Sequence, residues 1–78
     1  MDRRMRMTTV TFRIEGLRSA GCAEMVKALL CAEPGVYAAD VSLEPPEARV
    51  LFDAGSTDSR RLVTLIETPG YRVTGCVS

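Results

Sequence analysis

The order in which two periodicities alternate along the chain restricts its fold more than any single residue does. Thr8 to Ile14 alternates with period two, placing Val10, Phe12 and Ile14 on one face and Thr11, Arg13 and Glu15 on the other. That is the pattern of a half-buried strand. Gly16 breaks it and opens a loop, Leu17-Arg18-Ser19-Ala20-Gly21. From Cys22 to Ala32 the apolar residues Val26, Leu29 and Leu30, with help from Met25, recur at helical spacing. Glu33-Pro34-Gly35 ends that helix, because a residue before proline avoids the α region and glycine frees the turn.

Val36 to Leu43 reads as a second strand with Ala39, Val41 and Leu43 on a common face. Glu44-Pro45-Pro46-Glu47 is a turn whose prolines do not continue a ladder. Ala48, Val50 and Phe52 alternate with Arg49 and Leu51 as a third strand, spaced for an antiparallel hairpin with the second. Gly55-Ser56-Thr57-Asp58 offers capping side chains. Leu62, Leu65 and Ile66, flanked by Val63, form the stripe of a second helix that Pro69-Gly70 stops. Tyr71, Val73 and the run to Val77 make the last strand. The order is βαββαβ. It predicts an α+β, ferredoxin-like sandwich, a four-stranded antiparallel sheet with two helices on one face. Residues 8–78 are expected to form a single domain, preceded by a flexible basic tail at 1–7 in which Met5 or Met7 is an alternative start.

Composition removes several function classes. Ten basic and ten acidic residues leave a formal net charge of zero, whereas a nucleic-acid partner calls for an excess of Lys and Arg. The third strand also lacks the aromatic run that an RNA-recognition sheet presents. There is no histidine, so Cys-His and Ser-His nucleophile pairs and His-containing zinc sites are excluded. An acylphosphatase-like enzyme needs a catalytic amide, and the chain has neither asparagine nor glutamine. No enzyme activity is expected. No stretch approaches the ~20 apolar residues that span a bilayer, and the segment after the basic start is not an apolar signal region. The reading is a cytoplasmic protein without membrane insertion. Its three cysteines, Cys22, Cys31 and Cys76, are an odd number and do not form a disulfide framework.

Particular residues then point to a family. Ile14-Glu15-Gly16-Leu17-Arg18-Ser19-Ala20-Gly21-Cys22 resembles the heavy-metal-associated domain signature, Gly-Met-Thr-Cys-x-x-Cys after a strand. Pro34-Gly35-Val36 matches the Pro-Gly-Val that follows the family's first helix, Val26 and Leu30 match its core positions, and Gly70-Tyr71 matches the Gly-Tyr that closes the second helix. The resemblance runs from about Thr8 to Thr74. It implies binding of a soft metal ion, Cu(I) or Hg(II), and transfer to a partner, as in copper chaperones, the amino-terminal domains of metal-transporting ATPases and mercury-resistance domains. One departure matters. Ser19 stands where the family has its first cysteine, and Leu17 where it has methionine. Soft metals prefer two or three thiolates, so the intra-loop chelate is lost.

The resemblance makes Cys22 the metal ligand. At a helix start, unpaired N–H groups and the dipole favour its thiolate; alternatively it is a relic, a small residue tolerated there. Ser19 reads as an N-cap bonded to an N–H about three residues on, or as a weak ligand in the position of the missing cysteine. Leu17 and Tyr71 would shield the metal loop, and Tyr71 equally suits plain packing. Arg18 suits an acidic partner or simple solvation. Cys31 lies at the far end of the first helix, roughly 13 Å from Cys22 at about 1.5 Å per residue. Cys76 belongs to the far end of the last strand. Neither reaches Cys22, although the two share a pole and either touch or are unrelated thiols. One thiolate per chain then implies a co-ligand from outside: Cys22 of a second copy in a metal-bridged homodimer, a small thiol such as glutathione, or a metal-transport protein. The alternative is a degenerate, metal-free copy that serves as a protein-interaction or regulatory module.

Overall fold

The computed structural model describes residues 7–77. The elements follow the expected order: β1 (Met7–Glu15), α1 (Ala20–Cys31), β2 (Val36–Leu43), β3 (Pro46–Asp53), α2 (Ser59–Glu67) and β4 (Arg72–Val77). They form a four-stranded sheet in the order β2-β3-β1-β4, antiparallel at every pairing. β1 begins at Met7, opposite Asp53, one residue earlier than the alternation suggests. The rest of the expected tail, residues 1–6, lies outside the described residues.

The period-two pattern becomes the core. Val10, Phe12 and Ile14 of β1, Ala48, Val50 and Phe52 of β3, and Ala39 of β2 are buried together with Val26 and Leu30 of α1 and Leu62 and Ile66 of α2. Apolar burial against both helices offsets the conformational entropy of a chain this short. α2 is capped as expected: the Asp58 carboxylate accepts the Arg61 N–H at 2.8 Å. Arg61 also donates to Glu33 beyond the end of α1, at 3.0 Å from Nε, tying the ends of the two helices together.

Four local expectations need correction. α1 starts at Ala20, two residues before Cys22, because the Ser19 carbonyl already accepts the Cys22 and Ala23 N–H groups at 3.1 and 3.2 Å. Its buried face is Ala23, Val26 and Leu30; Leu29 is half-buried and Met25 is 49% exposed. At about 100° per residue, Met25 is a quarter-turn away from Val26 and leaves the core stripe. Leu43 is exposed because it ends β2 at the hairpin, where Pro46 pairs with it and serves as the first residue of β3, a position that strands allow proline. Tyr71 precedes β4 rather than belonging to it.

Two irregularities shape the edges. The β1–β4 register shifts between Arg13 and Ile14, so that Arg13 faces Gly75 and Ile14 faces Val73. The β2–β3 register shifts between Val36 and Ala38, and Tyr37, at that shift, is 56% exposed. Gly35 is needed where α1 turns into β2: its φ is +99°, and a Cβ there would lie 2.7 Å from Ser56 Cβ.

The packing yields a direct contrast between two apolar residues of the same helix. Leu30→Ala is expected to cost about 2–5 kcal/mol of stability, whereas Met25→Ala should stay within about 0.5 kcal/mol. Urea denaturation followed by circular dichroism measures both.

Candidate metal centre

The loop between β1 and α1 assembles around one sulfur. β1 ends at Glu15, and Gly16 turns the chain with φ +107°, a region that favours glycine. The Tyr71 ring packs closely at this turn, its Cδ1 3.2 Å from where a Gly16 Cβ would lie. Leu17 is half-buried against the core, while Arg18 and Ser19 are exposed. Burial of Ala23, Val26 and Leu30 fixes α1 on the sheet and places the half-buried Cys22 in its first turn. Cys22 is a free thiol.

Cys22 is surrounded by donors. The Tyr71 hydroxyl lowers the pKa of the thiol most, followed by the Arg18 backbone N–H, the Ser19 hydroxyl and the Ser19 backbone N–H. These favour the charged form, outweigh the opposing effect of partial burial, and bring the thiol from 9.0 to about 7. The same bond pushes Tyr71 up, because the phenol keeps the proton it donates to the thiolate. Close to neutral pH a large share of Cys22 is therefore thiolate, the form that ligates metals and attacks disulfides.

Ser19 is the N-cap by backbone geometry, but its side chain makes no capping bond. The expected hydroxyl-to-N–H bond is replaced: the carbonyl caps the helix, and Oγ donates to Cys22 Sγ at 3.8 Å. The hydroxyl is directed at the sulfur and not at the helix end.

Residues 11–72 match the heavy-metal-associated domain. The chain belongs to that family. It is 36% identical over 67 residues to the copper chaperone CopZ of Staphylococcus saprophyticus, covering 86% of this chain and 98% of that protein. It is equally 36% identical over 63 residues to the periplasmic component of the mercuric transport protein of Salmonella typhi, covering 81% and 69% of the two chains. Among solved structures, the CopZ metallochaperone superposes with a TM-score of 0.84 at 28% identity, over 86% of this chain and 100% of that one. Oxidized MerP from Ralstonia metallidurans CH34 does so with a TM-score of 0.83 at 29% identity, over 88% and 96%. The family is one of metal-binding domains, not of enzymes.

The fold brings Cys22, Ser19 and Tyr71 together, while Leu17 packs against the hydrophobic core. It does not bring in the other thiols. Cys31 ends α1 and Cys76 lies on β4 opposite Phe12, both exposed and free. Cys76 lines a depression with Thr8, Val10, Phe52, Ala54, Asp58 and Ser59, and Cys31 is not part of it. Among the described residues, no three Cys, Asp or Glu side chains gather as a metal cluster. The residue that sequence reasoning undervalued is Arg18, considered for its guanidinium but contributing its backbone N–H to the sulfur.

Alkylation of Cys22 by iodoacetamide, followed by mass spectrometry of its peptide, should show a midpoint at about pH 7. Tyr71→Phe removes the hydroxyl that lowers the thiol most and is expected to move that midpoint upward, toward the ordinary thiol range.

Proposed function

We propose that residues 8–78 form one metal-carrying module, which binds a soft ion of the Cu(I) or Hg(II) class through the Cys22 thiolate and hands it to a metal-transport protein. The observation that carries this reading is the Cys22 environment. Four donors converge on one sulfur at the position of a family ligand, and they poise it as a thiolate near pH 7. The relatives named for copper chaperoning and mercuric transport support the choice of metal class.

The loop supplies one thiolate. Ser19, at the family's first-cysteine position, offers a hard neutral hydroxyl that suits a soft ion poorly. For transfer, a further thiolate comes from outside the chain: Cys22 of a second copy in a metal-bridged homodimer, a small thiol such as glutathione, or a cysteine of the receiving transporter. Transfer proceeds by thiolate exchange, the incoming sulfur bonding the metal before Cys22 releases it. In this reading Tyr71, at the sulfur, limits the approach of water, and Leu17 shields the loop from the core side. A cytoplasmic site suits this chemistry, because reducing conditions keep thiols available as ligands. No helix among the described residues is long and apolar enough to cross a membrane.

Ser19 also favours a second reading, a metal-free copy retained as a protein-interaction or regulatory module. The two diverge on one measurement, an anaerobic competition titration of reduced protein with Cu(I) against a chromophoric chelator, run beside Cys22→Ala. Withdrawal of copper that disappears in Cys22→Ala is the expected result. Equal failure of both proteins to compete overturns the metal reading in favour of the second.

A further inference from the structure

We propose that Met25 is the second sulfur donor to the metal held by Cys22, so that the single chain presents a mixed thiolate–thioether site selective for Cu(I). This rests on the reading of Cys22 as a metal ligand and names the chain's own completion of that site.

Met25 is out of place as a core residue. Ala23, Val26 and Leu30 fill the buried face of α1, while Met25 on the same helix remains 49% exposed. It lies three residues after Cys22 on a continuous helix spanning Ala20–Cys31. Residues so spaced are neighbours on a helix surface, with Cβ atoms about 5–6 Å apart. Helical side chains lean toward the N-terminus and cover the preceding turn. For Met25 that turn is the one carrying Cys22. An unbranched side chain with three rotatable bonds ends in a soft, polarizable sulfur able to adapt to a cation there. The other groups around Cys22, the Tyr71 and Ser19 hydroxyls and the Arg18 N–H, are donors or hard oxygens. Met7, the other described methionine, begins β1 at its opposite end, paired with Asp53. Among the described residues, Met25 is therefore the one thioether placed to meet the metal.

The donor pair defines the cargo. A neutral thioether beside one thiolate suits Cu(I). It also explains how one thiolate per chain suffices in transit. Met25 holds the second place until a partner thiol arrives. The incoming thiol gives its proton to water and forms a new copper–sulfur bond as the neutral Met25 thioether leaves; a second sulfur of the partner then bonds copper as the Cys22 thiolate leaves. Copper remains Cu(I) throughout, with no electron transferred.

The test uses Cu(I) alone, anaerobically and without added thiol, in competition with bicinchoninate, on the native protein, Met25→Leu and Cys22→Ala. Met25→Leu keeps the bulk and helix preference of an exposed residue and removes only the sulfur. It is expected to bind Cu(I) at least tenfold more weakly, and excess glutathione should erase that difference. In protein labelled with [methyl-13C]methionine, the Met25 methyl resonance should move on adding one equivalent of Cu(I), while that of Met7 stays in place. Unchanged affinity in Met25→Leu, or an unmoved Met25 methyl, overturns the proposal. If Cys22→Ala abolishes binding while Met25→Leu does not weaken it, the thioether inference falls and the Cys22 reading stands. If Cys22→Ala binds as the native protein does, both fall.

Discussion

The packing of α1 onto the two central strands governs what the loop pole can do. Val26 and Leu30 are fully buried among the β1 and β3 side chains that include Phe12, Val50 and Phe52. That contact sets both the rotation and the axial position of the helix. With the rotation set, Cys22 lies at the rim of the buried stripe and Met25 beyond it. With the axial position set, the first turn stands beside the end of β1 and the start of β4, where Tyr71 meets it. Cavities in this core would therefore disturb the sulfur environment as well as the stability, which for a chain of this size rests on a core contribution of about 3–5 kcal/mol.

The loop around Cys22 is built to hold an anion. Backbone N–H groups of Arg18 and Ser19 and hydroxyls of Ser19 and Tyr71 all donate toward the sulfur. A thiolate held by hydrogen bonds is stabilised without being neutralised, and it remains available at a half-buried rim. This arrangement differs from a closed structural metal site, in which four ligands exclude exchange. An open, donor-lined thiolate suits an ion that must leave as readily as it arrives. The Ser19 hydroxyl adds to this cradle by donating to the Cys22 sulfur at 3.8 Å.

Much of this was legible without coordinates. Alternation from Val10 to Ile14 and from Ala48 to Phe52, and helical spacing around Val26, Leu30, Leu62 and Ile66, prescribed the elements and nearly all of the core. These signals are strong because burial acts on every second residue of a strand and on one stripe of a helix. The cap at Asp58 and the stop at Pro69-Gly70 were equally plain, since they depend on local backbone chemistry. The less legible residues were those at boundaries. Met25 and Leu43 are apolar and near the right phase, yet one lies beside the stripe and the other beyond the sheet's covered length. Hydropathy does not distinguish such positions from core.

By itself, then, the sequence determined the βαββαβ order, the faces that pack together and the presence of one cysteine at the start of the first helix. Those properties follow from periodicity and from short-range steric rules that act within a few residues. The family resemblance set Tyr71 at the metal loop, but only the tertiary structure decided which groups donate to that cysteine. Tyr71 is remote from Cys22 along the chain, and the close β1–β4 pairing brings them into hydrogen-bond contact. The direction of the Ser19 hydroxyl likewise lies between a helix end and a sulfur, and its outcome depends on where the folded loop places that sulfur. Such contacts are made across the fold, where distance in sequence carries no information about distance in space.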